Sequence, residues 1–125
     1  MDKHPVCWWE IASADAPRTV EFMQKTFDWE MQHDETTGIW ELNVEGDTSN
    51  GFKGGGVFTI NQKNLPPHST IYIPVENIEA MAEKVEKFGG KILQAPFVVP
   101  DTDFKICVFT EPQGQIIGMI ERLSD

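Results

Sequence analysis

The chain is poor in positive charge: ten Lys and Arg stand against twenty Asp and Glu, for a formal charge of -10. Affinity for nucleic acid comes mostly from Lys and Arg displacing counterions. No basic stripe or Arg-rich segment is present, so DNA and RNA are excluded as partners, and an anionic membrane surface repels such a chain. The acidity reads as a solubility device. Long apolar runs are also missing; none approaches the about 20 residues that span a bilayer. The opening MDKHPVCWWE lacks the apolar stretch of a secretory signal, which predicts a cytoplasmic protein without a membrane role. There are two cysteines, Cys7 and Cys107, far apart and in no CxxC pair. They are expected as free thiols in a reducing compartment. The three histidines, His4, His33 and His68, do not cluster, and tyrosine occurs once, at Tyr72.

What is present suffices for a core. Apolar residues make up 40 % of 125, with four Trp and eight Phe, the size of one domain or of two small repeats sharing one core. Val6 to Ala12 reads as a strand, with Trp8 and Trp9 favouring pleated structure. Asp15 and Pro17 open a helix that is expected to reach Phe27, with Ala16, Val20, Met23 and Phe27 as its apolar stripe. Trp29–His33, Ile39–Val44 and Val57–Ile60 follow as strands, with Gly38 breaking the first pair and a glycine-rich loop from Gly46 to Gly56. After Leu65-Pro66-Pro67 the pattern restarts. Thr70–Val75 is a strand, and Asn77 caps a helix with Ile78, Met81, Ala82, Val85 and Phe88 on one face. Gly89-Gly90 stops it, and Lys91–Gln94, Phe104–Thr110 and Gln115–Glu121 are the later strands.

The halves superimpose at an offset of 62 residues: Asp15 falls on Asn77, Ala16 on Ile78, Val20 on Ala82, Met23 on Val85 and Gly56 on Gly118. Punctuation and burial pattern agree although identity is low. The expected architecture is therefore α+β: two tandem βαβββ repeats, about 5–61 and about 68–123, in one domain over 1–125. Each repeat needs its helix-free face covered, and two such sheets can curl into a cup-shaped mixed sheet with the helices outside. A cup lined from both repeats is a natural small-molecule site.

Three segments carry a family resemblance. DAPRTVEFMQKTFDWE resembles the first helix and following strand of the vicinal-oxygen-chelate superfamily, the glyoxalase, bleomycin-resistance and dioxygenase group. GGGVF with PPHSTIYIPVENIEAMAEKVEKFGGKIL resembles its middle, and FTEPQGQIIGMIE its closing turn and last strand. The ordered set spans nearly the whole chain and is closest to the glyoxalase-related branch. Catalytic members hold a divalent metal on His, Glu or Gln from the first and last strands of each repeat. The matching positions here are Trp8 and Gly56, then Thr70 and Gly118. Trp offers only an N–H, Gly has no side chain and a Thr hydroxyl is a poor ligand for zinc, nickel or iron. No metal or other cofactor is therefore expected.

The same register places Trp8, Glu10, Gly56, Phe58, Thr70, Tyr72, Gly118 and Ile120 on the cup face, with Trp40 as a further stacking surface. A carboxylate buried beside an aromatic can serve as a general base, and Tyr72, the repeat mate of Glu10, can donate a hydrogen bond; these two are the catalytic candidates. Glu121 has the opposite alternation from Gly118 and is expected to face away from the cup, at the surface or in a subunit contact. The expected function is binding of a small, partly aromatic molecule in a metal-free cup, as the resemblance to bleomycin-resistance proteins implies. The alternative is a metal-free isomerase or lyase using Glu10; a metal-dependent glyoxalase-type lyase ranks third. The resemblance also implies a homodimer.

Overall fold

A computed structural model describes residues 6–42, 54–60 and 65–124. His4, the ends of repeat one at 5 and 61, the end of the strand expected to reach Val44, and most of the glycine-rich loop lie outside the described residues. The described part of Cys7–Thr70 forms one compact unit; that from Ile71 onward, with Val6, forms the other.

In the first unit the order is β1 (Trp8–Ser13), α1 (Ala16–Phe27), β2 (Met31–His33), β3 (Trp40–Leu42) and β4 (Gly55–Thr59). Strand β1 pairs parallel with β4, while β4–β3 and β3–β2 are antiparallel. In the second repeat, whose first strand enters the second unit at Ile71, the order is β5 (His68–Pro74), α2 (Ile78–Lys87), β6 (Lys91–Val98), β7 (Phe104–Thr110) and β8 (Ile116–Arg122). Strand β5 pairs parallel with β8, while β8–β7 and β7–β6 are antiparallel. The strand order β1-β4-β3-β2 is thus reproduced as β5-β8-β7-β6, the expected α+β pair of βαβββ repeats. The register repeats too: Glu10 lies opposite Gly56 as Tyr72 lies opposite Gly118, and Ile11 opposite Val57 as Ile73 lies opposite Met119.

The helices start where the caps place them. The Asp15 carboxylate accepts from the Arg18 amide at 3.3 Å, and the Asn77 side-chain oxygen accepts from the Ala80 amide at 3.1 Å. Helix α1 ends at Asp28 in the left-handed conformation, with φ 57°. Helix α2 is followed by Gly89 at φ 97°, a conformation that glycine adopts without Cβ strain. Each helix has a second anchor, on the last strand of its own repeat. The Ala16 amide donates to Thr59 Oγ1, and the Ile78 amide donates to Glu121 Oε1, both at 2.9 Å. Thr59 and Glu121 are themselves 62 apart, so the two repeats use one device with different side chains. It satisfies a first-turn N–H that has no partner within the helix. Glu121 does face the helix side, as its alternation requires, but it ties helix to strand there. We expect Glu121→Ala to cost about 1–2 kcal/mol and Glu121→Gln much less, because the amide oxygen still accepts; urea denaturation of both variants checks this.

Packing divides the same way. Ala16, Val20 and Val57 are buried together, with Ile11, Met31 and Trp40 against them. Val75, Ile78, Ala82, Cys107, Phe109 and Met119 form the larger cluster, flanked by Ile73, Met81, Val85, Ile92 and Ile117. Two expected stripe residues are instead exposed, Phe27 and Phe88. Each lies at the last position of its helix stripe, where the helix runs out of core to cover. Phe27 leans on Trp29 instead, centroids 6.4 Å apart, and Phe88 lies under the Lys87 ammonium at 5.6 Å.

Cys7 and Cys107 are both buried. Burial pushes both up to about 11, against a weaker pull from a backbone hydrogen bond at Cys7. Their thiol forms favour the folded state. That contribution is whole below the unfolded value of 9.0 and is lost as pH rises toward about 11. The native chain is therefore expected to resist iodoacetamide at pH 8 and to take up two equivalents in denaturant; rapid labelling of the native chain would contradict the burial.

Candidate functional site

The faces of β1 follow from Ile11, which packs against α1, so Trp8, Glu10 and Ala12 point to the helix-free side. On β4, Val57 packs under the helix and Thr59 reaches its first turn, so Gly56 and Phe58 share the face of Glu10. Glu10 is only 8 % exposed, an unusual place for a carboxylate. Its Oε2 accepts from the Trp8 indole Nε1–H at 3.0 Å. The indole and the carboxylate, two residues apart on one strand face, thus fix each other's orientation. A charge removed from water needs such partners.

The equivalent face of the second repeat follows from Ile73, Ile117 and Met119, which pack against α2. Thr70, Tyr72, Gly118 and Ile120 take the opposite side, and all four are buried. A Cβ added to Gly118 would fall 2.4 Å from Tyr72 Cε2, 2.5 Å from Cδ2 and 2.7 Å from Cζ. Three adjacent ring carbons at such similar distances put the Tyr72 ring over the glycine.

One expected site residue is placed otherwise. Trp40 lies opposite Val57 in the β3–β4 ladder and packs with it against the α1 core. Its indole therefore belongs to the helix side, where His33 also touches it at 4.7 Å between centroids. The helix-free side of this strand is taken by Ile39, whose Cγ2 lies 2.5 Å from where a Gly56 Cβ would stand, and by Glu41, which lies opposite Gly56 in the ladder. Sequence reading missed this side because the parity of so short a strand is set by its ladder pairing with Val57, beyond the tight turn that precedes it. There the Asp34 carboxylate accepts from the Thr36 amide and the Thr37 hydroxyl accepts from the Ile39 amide.

The superfamily's metal positions do not fit a cation here. In the first repeat they carry Trp8 and Gly56, in the second Thr70 and Gly118, and both glycine positions are overlain by a neighbouring side chain. Among the described residues no three His, Cys, Asp or Glu side chains converge as a ligand group. His68 turns its Nδ1 to the Pro66 carbonyl oxygen at 2.8 Å. No described helix is long and apolar enough to cross a membrane.

Comparison with known proteins agrees with this scaffold. A search of curated proteins gave no match. Among solved structures, a Streptomyces coelicolor methylmalonyl-CoA epimerase, in complex with 2-nitronate-propionyl-CoA, is similar at TM-score 0.61 and 18 % identity, covering 95 % of this chain and 97 % of that one. A hypothetical protein of Bacillus halodurans gives TM-score 0.62 at 14 % identity, covering 97 % and 96 %. A glyoxalase/bleomycin resistance protein/dioxygenase superfamily member of Vibrio splendidus gives 0.60 at 14 %, covering 90 % and 95 %. At such identities the likeness is one of fold. The sequence itself matches the family description over residues 4–119, and with the register repeated strand for strand the chain belongs to the Glyoxalase/Bleomycin resistance protein/Dioxygenase superfamily.

Proposed function

We propose that this chain binds a small, partly aromatic molecule on its helix-free strand faces without help from a metal ion, and acts as a cytoplasmic homodimer. The observation that carries the reading is the buried Glu10 carboxylate, held by the Trp8 indole N–H on a face that also carries Ala12, Gly56, Phe58, Ile39 and Glu41. Largely apolar surface with a few oriented polar groups is the usual make-up of a small-molecule site. Trp8 is partly exposed and offers a ring for stacking, while Glu10 selects a ligand that brings a hydrogen-bond donor or positive charge. Thr70, Tyr72 and Ile120 line the corresponding face of the second repeat. Phe58 keeps its face apolar.

Native mass spectrometry of the freshly purified full chain tests this. We expect a dimer mass carrying a small-molecule adduct that Trp8→Ala and Glu10→Ala both diminish. A bare monomer, or an adduct indifferent to both substitutions, would refute the reading.

A second reading is favoured by the burial of Glu10 alone: a carboxylate shielded from water can take a proton from a carbon acid next to a carbonyl. The superfamily fold serves an isomerase in the epimerase named above. Glu10→Gln separates the two readings. In a binding protein it weakens affinity for the adduct molecule; in an isomerase it leaves affinity nearly intact and abolishes exchange of the substrate's α-proton with deuterium oxide.

A further inference from the structure

The geometry points to a steric bar against metal binding in this chain: the Tyr72 ring occupies the space that a side chain at position 118 would need, so the second repeat cannot offer a cation ligand there. This stands apart from the ligand reading above, since it concerns what the strand face excludes.

Tyr72 and Gly118 are directly opposite in the parallel β5–β8 ladder, and Tyr72 is 5 % exposed. The would-be Cβ lies within 2.7 Å of Cδ2, Cε2 and Cζ, well inside any carbon–carbon contact. A tyrosine ring packed in a strand face has few rotamers to retreat into, so relief requires moving the whole ring out of its place. Glycine at 118 is thus the complement of Tyr72, an aromatic ring covering a bare stretch of neighbouring backbone. The first repeat reaches the same end by other means: Ile39 Cγ2 and the Trp40 carbonyl oxygen lie 2.5 and 2.8 Å from the place of a Gly56 Cβ. Two repeat-mate positions are filled by unrelated neighbours. The missing donors are therefore built into the packing of the strands, and restoring a carboxylate at 118 alone would disrupt the fold before it bound an ion.

Tyr72 is the only tyrosine, so the full chain grown with 3-fluorotyrosine reports on this ring alone. Nickel(II) chloride, whose ion is paramagnetic, is titrated into the labelled protein while the fluorine line is followed. We expect no broadening at stoichiometric nickel; broadening with one equivalent bound would overturn the proposal. The steric part is read from a double-mutant cycle. Gly118→Ala is expected to lower Tm and shift the fluorine line, and in a Tyr72→Ala background the same change should lower Tm by less than half as much. Equal losses in both backgrounds would overturn it. Should Gly118→Ala fail to fold, recovery of folding in the double variant supports the bar, and failure of both refutes it.

Discussion

Gly55→Ala should be among the most damaging single-methyl additions in the first repeat, costing about 3 kcal/mol or more. The added Cβ would stand 2.2 Å from the Trp9 carbonyl oxygen and 2.2 Å from Trp9 Cδ2. The indole part of that clash has a remedy, because a side chain can turn. The carbonyl part has none, because Trp9 and Gly55 are paired in the β1–β4 ladder, and the neighbouring Trp9 amide already donates to the Gly54 carbonyl at 3.0 Å. Moving that carbonyl means opening the parallel pair that positions Glu10. Gly38→Ala is the control. Its Cβ meets nothing within 4 Å, and its φ of +79° leaves only a backbone penalty, about 1 kcal/mol. Urea unfolding of both variants gives the comparison. A Gly55→Ala protein as stable as the Gly38→Ala protein would mean that β1 and β4 are not registered as described. In the Trp9→Ala background the cost should persist, since the backbone oxygen remains.

Ile78→Ala is the second large effect. Ile78 is 0 % exposed and sits in the cluster joining α2 to β7 and β8. Removing its outer carbons costs their transfer free energy and leaves a cavity that rigid strands cannot close, about 3–4 kcal/mol in all. That corresponds to a fall in Tm of roughly 10–15 °C for a domain of this size. Alanine keeps the backbone N–H that donates to Glu121, so the loss measures packing alone. Ile78→Val should cost about 1 kcal/mol. Combined with Glu121→Ala, the two changes should depart from additivity, because the amide and the side chain hold the same first turn against the same strand. A Tm loss of only a degree or two for Ile78→Ala would show that the helix is not seated on the sheet as described.

The contrast between these residues and the ones sequence reading misplaced explains what a sequence of this kind reveals. Asp15, Asn77 and Gly89 act on their immediate neighbours through local hydrogen bonds and φ, so they are readable in isolation. The offset of 62 was readable because both repeats carry the same punctuation. Face assignment worked where a strand was long enough for its alternation to be anchored, as at Glu10, Tyr72 and Gly118, and failed at Trp40. Strand β3 spans only Trp40–Leu42, and its parity is set by ladder pairing with Val57, a contact across the sheet. The Thr59 and Glu121 anchors are long-range in the same way, each 43 residues from the amide it accepts. Their shared offset was the available clue. The overlay of Tyr72 on Gly118 had no sequence signature beyond two residues at matching positions of neighbouring strands; only the ring's placement reveals it.

Strand β6 was expected to stop at Gln94, before Pro96, yet it continues to Val98. It is the outermost strand of its unit and pairs only with β7, with register shifts between Ile92 and Gln94 and between Gln94 and Phe97. A proline can sit at such a margin because its missing donor is not called on by the ladder. The same two irregularities make this margin a poor template. A foreign strand laid along it would find one N–H absent and two breaks in rhythm, and could not continue the hydrogen bonding. Fibrillar stacking by addition to β6 is thereby discouraged, although the strand exposes Leu93 and Val98 to solvent.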